Sequence, residues 1–128
     1  MGYAEDVQFQ NQLKSLPNAT RFFIAPEKDY STSLEELETM SLPLVLIADQ
    51  KEIPKCIALV EIIKKKRSQI TVQYNGVYKW KTPLHPVSGK ETEDEVKGKK
   101  MYDVPIYIGV LNDTELELDS KMWTKQTL

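Results

Sequence analysis

The chain has 128 residues, 41% hydrophobic and 28% charged, which excludes a disordered tail and fits one globular domain with a buried core. A single cysteine, Cys56, excludes a disulfide framework or a cysteine metal cluster and leads us to expect an intracellular, reducing compartment. The net charge of −2 argues at first against a polyanionic partner.

Taken in order, residues 1–19 form an N-terminal extension in which Val7, Phe9, Leu13 and Leu16 line one loose helical face, ended by Pro17-Asn18. Arg21-Phe22-Phe23-Ile24-Ala25 reads as a short strand stopped by Pro26. Ser33, three residues before Glu36, has the spacing of a capping box and predicts a short helix over residues 33–38. The apolar run from Leu42 to Ala48 is long enough for a buried strand and far too short to span a membrane, so no membrane association is expected. The strongest helix is predicted over residues 51–67. Ile53, Cys56, Ile57, Val60 and Ile63 form its buried stripe, Pro54 is tolerated in the first turn, and Lys64-Lys65-Lys66-Arg67 complements the dipole at its end.

Residues 70–81 admit two readings. Asn75-Gly76 is a strong hairpin signal, but a tight hairpin there pairs Tyr74 with Val77. One long strand, bulged at Gly76, instead gathers Ile70, Val72, Tyr74, Tyr78 and Trp80 on one face and turns Lys79 and Lys81 to the other, and we favour it. Residues 82–103 lack periodicity and are expected to form a long flexible loop. Val104, Ile106, Ile108 and Val110 alternate as a strand, with Pro105 suggesting an edge or a first ladder position; Leu116 and Leu118 extend pairing or cover the core. The order is strand, helix, strand, helix, strand, strand. It predicts an α/β (α+β) fold with right-handed crossovers, a mixed sheet and an antiparallel pair at the end.

The charge is unevenly placed. Residues 1–50 carry 3 basic and 8 acidic side chains, residues 51–100 carry 12 and 6, and residues 101–128 carry 2 and 5. A basic middle segment between acidic ends is the footprint of a phosphate-binding surface, because local potential captures a polyanion. Its candidates are Lys51 and Lys55 at the helix start, Lys64, Lys65, Lys66 and Arg67 at the helix end, Lys79 and Lys81 on the strand, and Lys97, Lys99 and Lys100 in the loop. The bland alternatives are a solvated helix terminus and a solubilising loop beside the acidic run 91–95. Tyr74, Tyr78 and Trp80 either stack on unpaired bases or belong to the core; Trp123 is a stacking or partner-contact candidate that also has a packing role open to it. His85 has no nucleophile near it in sequence, Cys56 falls on the buried stripe, and no glycine-rich phosphate loop precedes a helix. No enzyme, catalytic residue, metal or cofactor is expected.

The stretch from the apolar strand through Lys51-Glu52-Ile53-Pro54-Lys55-Cys56-Ile57-Ala58-Leu59-Val60-Glu61-Ile62-Ile63-Lys64-Lys65-Lys66 to Ile70-Thr71-Val72-Gln73-Tyr74 resembles the Alba-like superfamily. With Tyr78-Lys79-Trp80 and the ending from Val104-Pro105-Ile106 to Trp123-Thr124-Lys125-Gln126, it looks most similar to the fungal Alba-type subunit of RNase P and RNase MRP. The resemblance implies a single Alba-like domain over residues 1–128, a two-layer β-α-β-α-β-β sandwich. It implies a non-catalytic RNA-binding subunit that pairs with a second Alba-like subunit and grips a stem-loop of the RNA. The setting is a larger ribonucleoprotein processing tRNA and rRNA in the nucleus, at the nucleolus, with telomerase RNA as a further host in some yeasts. Lys51 and Lys55 match the basic turn and helix start, Lys64 to Arg67 the basic helix end, and Lys97, Lys99 and Lys100 the loop between the last strands. The turn Asp49-Gln50-Lys51 departs from the pattern, lacking the usual glycine and adding an acid. The alternatives are a protein–protein adaptor docking an acidic partner, and a general Alba-type nucleic-acid-binding protein.

Overall fold

Asp6 accepts a hydrogen bond from the Gln8 amide at 2.8 Å and so caps helix α1, Val7–Leu13, which follows a 3-10 turn at Tyr3–Glu5. The computed structural model describes residues 3–83 and 101–128; His85, the acidic run 91–95 and Lys97, Lys99 and Lys100 lie outside them. Strand β1, Thr20–Phe23, leads to helix α2, Tyr30–Thr39. The α2 cap is Asp29, whose carboxylate accepts from the Thr32 amide at 2.7 Å. This corrects the capping box expected at Ser33. The helix starts three residues earlier, an ionised carboxylate being a stronger acceptor at a helix N-terminus than a hydroxyl, and Ser33 is 2% exposed inside it.

Strand β2, Leu44–Asp49, follows a cis Leu42–Pro43 peptide, and every residue from Leu44 to Ala48 is buried. A 3-10 turn, Gln50–Glu52, opens into helix α3, Ile53–Lys66, with Pro54 in the first turn, as its spacing predicts. The buried stripe of α3 is Cys56, Leu59, Val60 and Ile63; Ile57, expected inside, is 46% exposed. Leu59 takes its share of the packing, because the helix is rolled so that Ile57 faces along its outer flank.

Strand β3, Val72–Pro83, and strand β4, Met101–Asn112, pair antiparallel along their whole length. The register passes Asn75↔Gly109, Gly76↔Ile108 and Val77↔Tyr107 without an extra residue. Neither the tight hairpin nor a bulge forms. Gly76 serves a different end: a Cβ there would lie 2.8 Å from the ring of Trp123, which opens strand β5, Trp123–Thr127. The loop expected over 82–103 is correspondingly shorter, since pairing runs to Pro83↔Met101.

The sheet order is β1-β2-β4-β3-β5, with β1 parallel to β2 and the other neighbours antiparallel. This is a mixed five-stranded α+β sheet in which residues 20–112 follow the predicted strand–helix alternation. Pro105 sits on a central strand, yet β2 stops at Asp49↔Ile106, so at Pro105 that flank is already open and the missing N–H costs little.

Apolar side chains alternate along β2 and β4 and build two cores rather than one. Leu44, Leu46, Ala48 and Leu111 pack under α2 and α3. Val45, Ile47, Ile106, Ile108 and Val110 face the other way, under Phe9, Leu13 and Leu16 of the N-terminal segment, with Leu116 and Leu118 against them. A strand apolar on both sides needs cover on both. The expected two-layer arrangement therefore becomes three layers, and residues 3–16 are a packed element of the fold.

Candidate nucleic-acid interface

Helix α3 and strand β3 run in opposite directions, and that decides where the cations fall. The helix starts beyond Asp49 at the end of β2 and returns to the level where β2 begins; Leu44 pairs with Leu111 and Val72 with Asn112. A 14-residue helix is about 21 Å long. The helix-end run 64–67 is thus separated by roughly that distance from Lys79 and Lys81, which lie far along β3, opposite Pro105 and Asp103. The single basic surface expected from helix end and strand together does not form.

The helix-end cations are also engaged by the chain itself. Lys64 Nζ donates to Glu61 Oε2 at 2.6 Å and Gln73 Oε1 at 2.7 Å, and its side chain is 12% exposed. Lys66 pairs with Glu38 across the α2–α3 seam at 3.2 Å. Arg67 Nη1 donates to the Leu37 and Met40 carbonyls at the end of α2. At the helix start, Lys55 Nζ donates to the Ala25 carbonyl at 2.8 Å and to that of Lys28, and lies 5.8 Å from the Tyr30 ring centroid. These four cations fasten α3 to the loop before α2, to α2 and to strand β3. Only Lys65 of the run 64–67 is exposed without a partner among the described residues.

The other end of the sheet is different. Lys51, Lys79 and Lys81 are exposed and take part in none of the ion pairs among the described residues. Lys51 lines an open cavity of about 240 Å³ with Asp49, Gln50 and Val104, and Val104 pairs with Trp80 between the two strand lysines. Pro83 and Met101, which bound the stretch carrying Lys97, Lys99 and Lys100, pair at this same end. Asp103 beside Lys81 and Asp49 beside Lys51 temper the potential there.

The aromatic candidates are structural. The Tyr74 hydroxyl accepts from the Leu116 amide and donates to its carbonyl, and Trp123 is buried against Gly76. Tyr78 packs against Phe9 at 5.6 Å and Trp80 against Tyr3 at 6.1 Å between ring centroids. Burial raises the Tyr3 hydroxyl to about 12, with the Asp49 charge adding to it. Burial likewise pushes the Cys56 thiol up to about 12, so the thiol stays protonated and unreactive at neutral pH.

Sequence patterning missed a polar network on the α3 side of β3 and β4. Tyr107 lies flat over Gly109, where a Cβ would be 2.9 Å from its hydroxyl, and donates to Asn75 Oδ1. Gln73 Nε2 donates to the same oxygen at 2.7 Å. Val77, paired with Tyr107 across the strands, is 56% exposed on the same face, and Ile57 is 46% exposed on α3. A strand register alone would have flagged Val77, which stands on the lysine face rather than the aromatic one; the roll of α3 that exposes Ile57 has no sequence signal.

Comparison of the sequence with protein-family models and with curated proteins finds no match. Among the described residues no group of three or more His, Cys, Asp or Glu side chains is placed to hold a metal, and no helix is long and apolar enough to cross a membrane.

Proposed function

We propose that the chain is an Alba-like, non-catalytic RNA-binding subunit of an RNase P or RNase MRP type ribonucleoprotein, holding a stem-loop as a heterodimer with a second Alba-like subunit. Its place is then the nucleus, at the nucleolus, in tRNA and rRNA processing. The observation that carries RNA binding is that Lys51, Lys79 and Lys81, exposed and unpaired among the described residues, all lie toward one end of the sheet. Long, unengaged cationic side chains are what phosphate recognition needs. The element order β1-α2-β2-α3-β3-β4 is the one the resemblance implies and supports the Alba-like assignment, although the resembling residues themselves lie in 42–81 and 104–126. Exposed Ile57 and Val77 offer a partner subunit apolar contacts.

Binding of a stem-loop RNA measured against salt tests the cationic end. Alanine at Lys51, Lys79 and Lys81 should weaken binding and reduce the log–log salt slope by roughly 0.7–0.9 for each phosphate no longer neutralised. Alanine at Lys64 and Lys66 should leave the slope unchanged. The reverse result, or no salt dependence at all, removes the assignment. Sequencing the RNA that copurifies with the native complex identifies the host particle.

The second reading, a protein adaptor, is favoured by the same exposed Ile57 and Val77. It predicts that partners stay bound after nuclease digestion and dissociate from an Ile57→Asp, Val77→Asp chain that still folds.

A further inference from the structure

Strand β5 covers only the first part of the outer edge of β3. Pairing runs from Val72↔Thr127 to Gly76↔Trp123 and stops, while β3 continues to Pro83 against β4 on its other side. The Leu128 amide donates to the Thr71 carbonyl at 3.2 Å, which sets the alternation: odd-numbered residues of β3 turn their backbone groups outward, toward β5. Beyond the Gly76↔Trp123 pair, the N–H and C=O of Lys79 and Lys81 therefore point out of the sheet with no strand beside them among the described residues. Unpaired edge groups in an extended register are a template for another strand.

We infer that this edge, Val77 to Lys81, is a strand-addition site for an extended segment of a partner protein in which acidic and apolar residues alternate. The side chains set that pattern. Val77, Lys79 and Lys81 project on the α3 side of the sheet, Tyr78 and Trp80 on the other, where both are only partly buried. An added strand places acidic side chains beside the two lysines and apolar ones beside the two aromatics, and opposite charges across neighbouring strands are mutually stabilising. A second copy of this chain is disfavoured at the same edge, since its own Lys79 and Lys81 would meet the pair already there; lysines on an open edge discourage that self-pairing. The site uses main-chain groups that RNA does not require, so it stands whether or not the chain binds RNA.

The test is amide hydrogen exchange on the isotopically labelled full chain with a synthetic peptide of alternating Glu and Val. A Lys–Val peptide and a short unpaired RNA are run in parallel. The Glu–Val peptide should slow exchange at Lys79 and Lys81 at least tenfold, and the Lys–Val peptide should not. In a K79E/K81E chain the preference should invert. Amides that stay fast at saturating peptide, protection at the outer edge of β1 or β5 instead, a response to RNA alone, or protection that grows with protein concentration in the absence of peptide would each overturn the assignment. Should the charge-reversed chain fail to fold, the exchange pattern of the unaltered chain decides.

Discussion

Arg67 donates from Nη1 to the Leu37 carbonyl at 2.9 Å and, from the same nitrogen, to that of Met40 at 2.7 Å. The residue that closes α3 thus caps the end of α2, whose terminal carbonyls have no partner within their own helix. A residue that composition assigns to a phosphate-binding run is holding two helices together.

Replacing Arg67 with alanine should destabilise the fold by about 1–3 kcal/mol, the range for hydrogen bonds from a charged donor to partly buried acceptors. Lysine, with one compact charge in place of a planar fork, should recover only part of this. Urea denaturation measures both. RNA affinity of the folded variant should be unchanged.

The N-terminal segment carries a second core. Phe9 is fully buried among Val45, Ile47 and Ile108, in edge contact with Tyr3 at 5.2 Å. Phe9→Ala should cost about 3–5 kcal/mol. Removal of residues 1–16 should leave a chain that binds a hydrophobic dye, because much of one sheet face loses its cover.

At Gly76 an added methyl meets the Trp123 ring at 2.8 Å. Gly76→Ala should therefore displace a buried indole and cost about 1–3 kcal/mol, with a red-shifted tryptophan emission. If stability and emission are both unchanged, β5 is not seated against Gly76.

Alkaline pH should loosen the fold. Burial raises Cys56 from 9.0 to about 12, and Tyr107 from 10.0 to about 12, with the Cys56 charge adding at Tyr107. Between those limits the unfolded chain loses protons that the folded chain keeps, so the unfolding free energy falls as pH rises. The melting temperature should be level near pH 8 and drop progressively from pH 9 to 12, and in Cys56→Ala the part of the drop that begins near pH 9 should shrink. At pH 8 a thiol reagent should modify Cys56 only in denaturant.

Periodicity carried the strand–helix alternation, the long β3 with its two-sided pattern, and the strand content of β4, because burial on one face leaves a repeat of two or 3.6 in the residues. It did not carry β5. Trp123–Thr127 has one buried residue followed by four exposed ones, and its seat depends on a glycine 47 positions earlier. The second core was half visible: Phe9, Leu13 and Leu16 stood out as a face, but what they cover is set by tertiary pairing. The candidate site was legible as a number of lysines and illegible as a surface. Which cations stay free depends on Glu38, Gln73 and the end of α2, all brought to Lys64–Arg67 by the fold.

Among the described residues strand β4 is the last strand but one in chain order, yet it lies between β2 and β3. During synthesis, β1 and β2 can align early and α3 can settle on them, but the inner flank of β2 stays bare until residues 101–112 have left the ribosome. Only then can β3 join the same sheet. Until then the nascent chain must hold one flank of a largely apolar strand unpaired, the kind of exposed edge that chaperones shield.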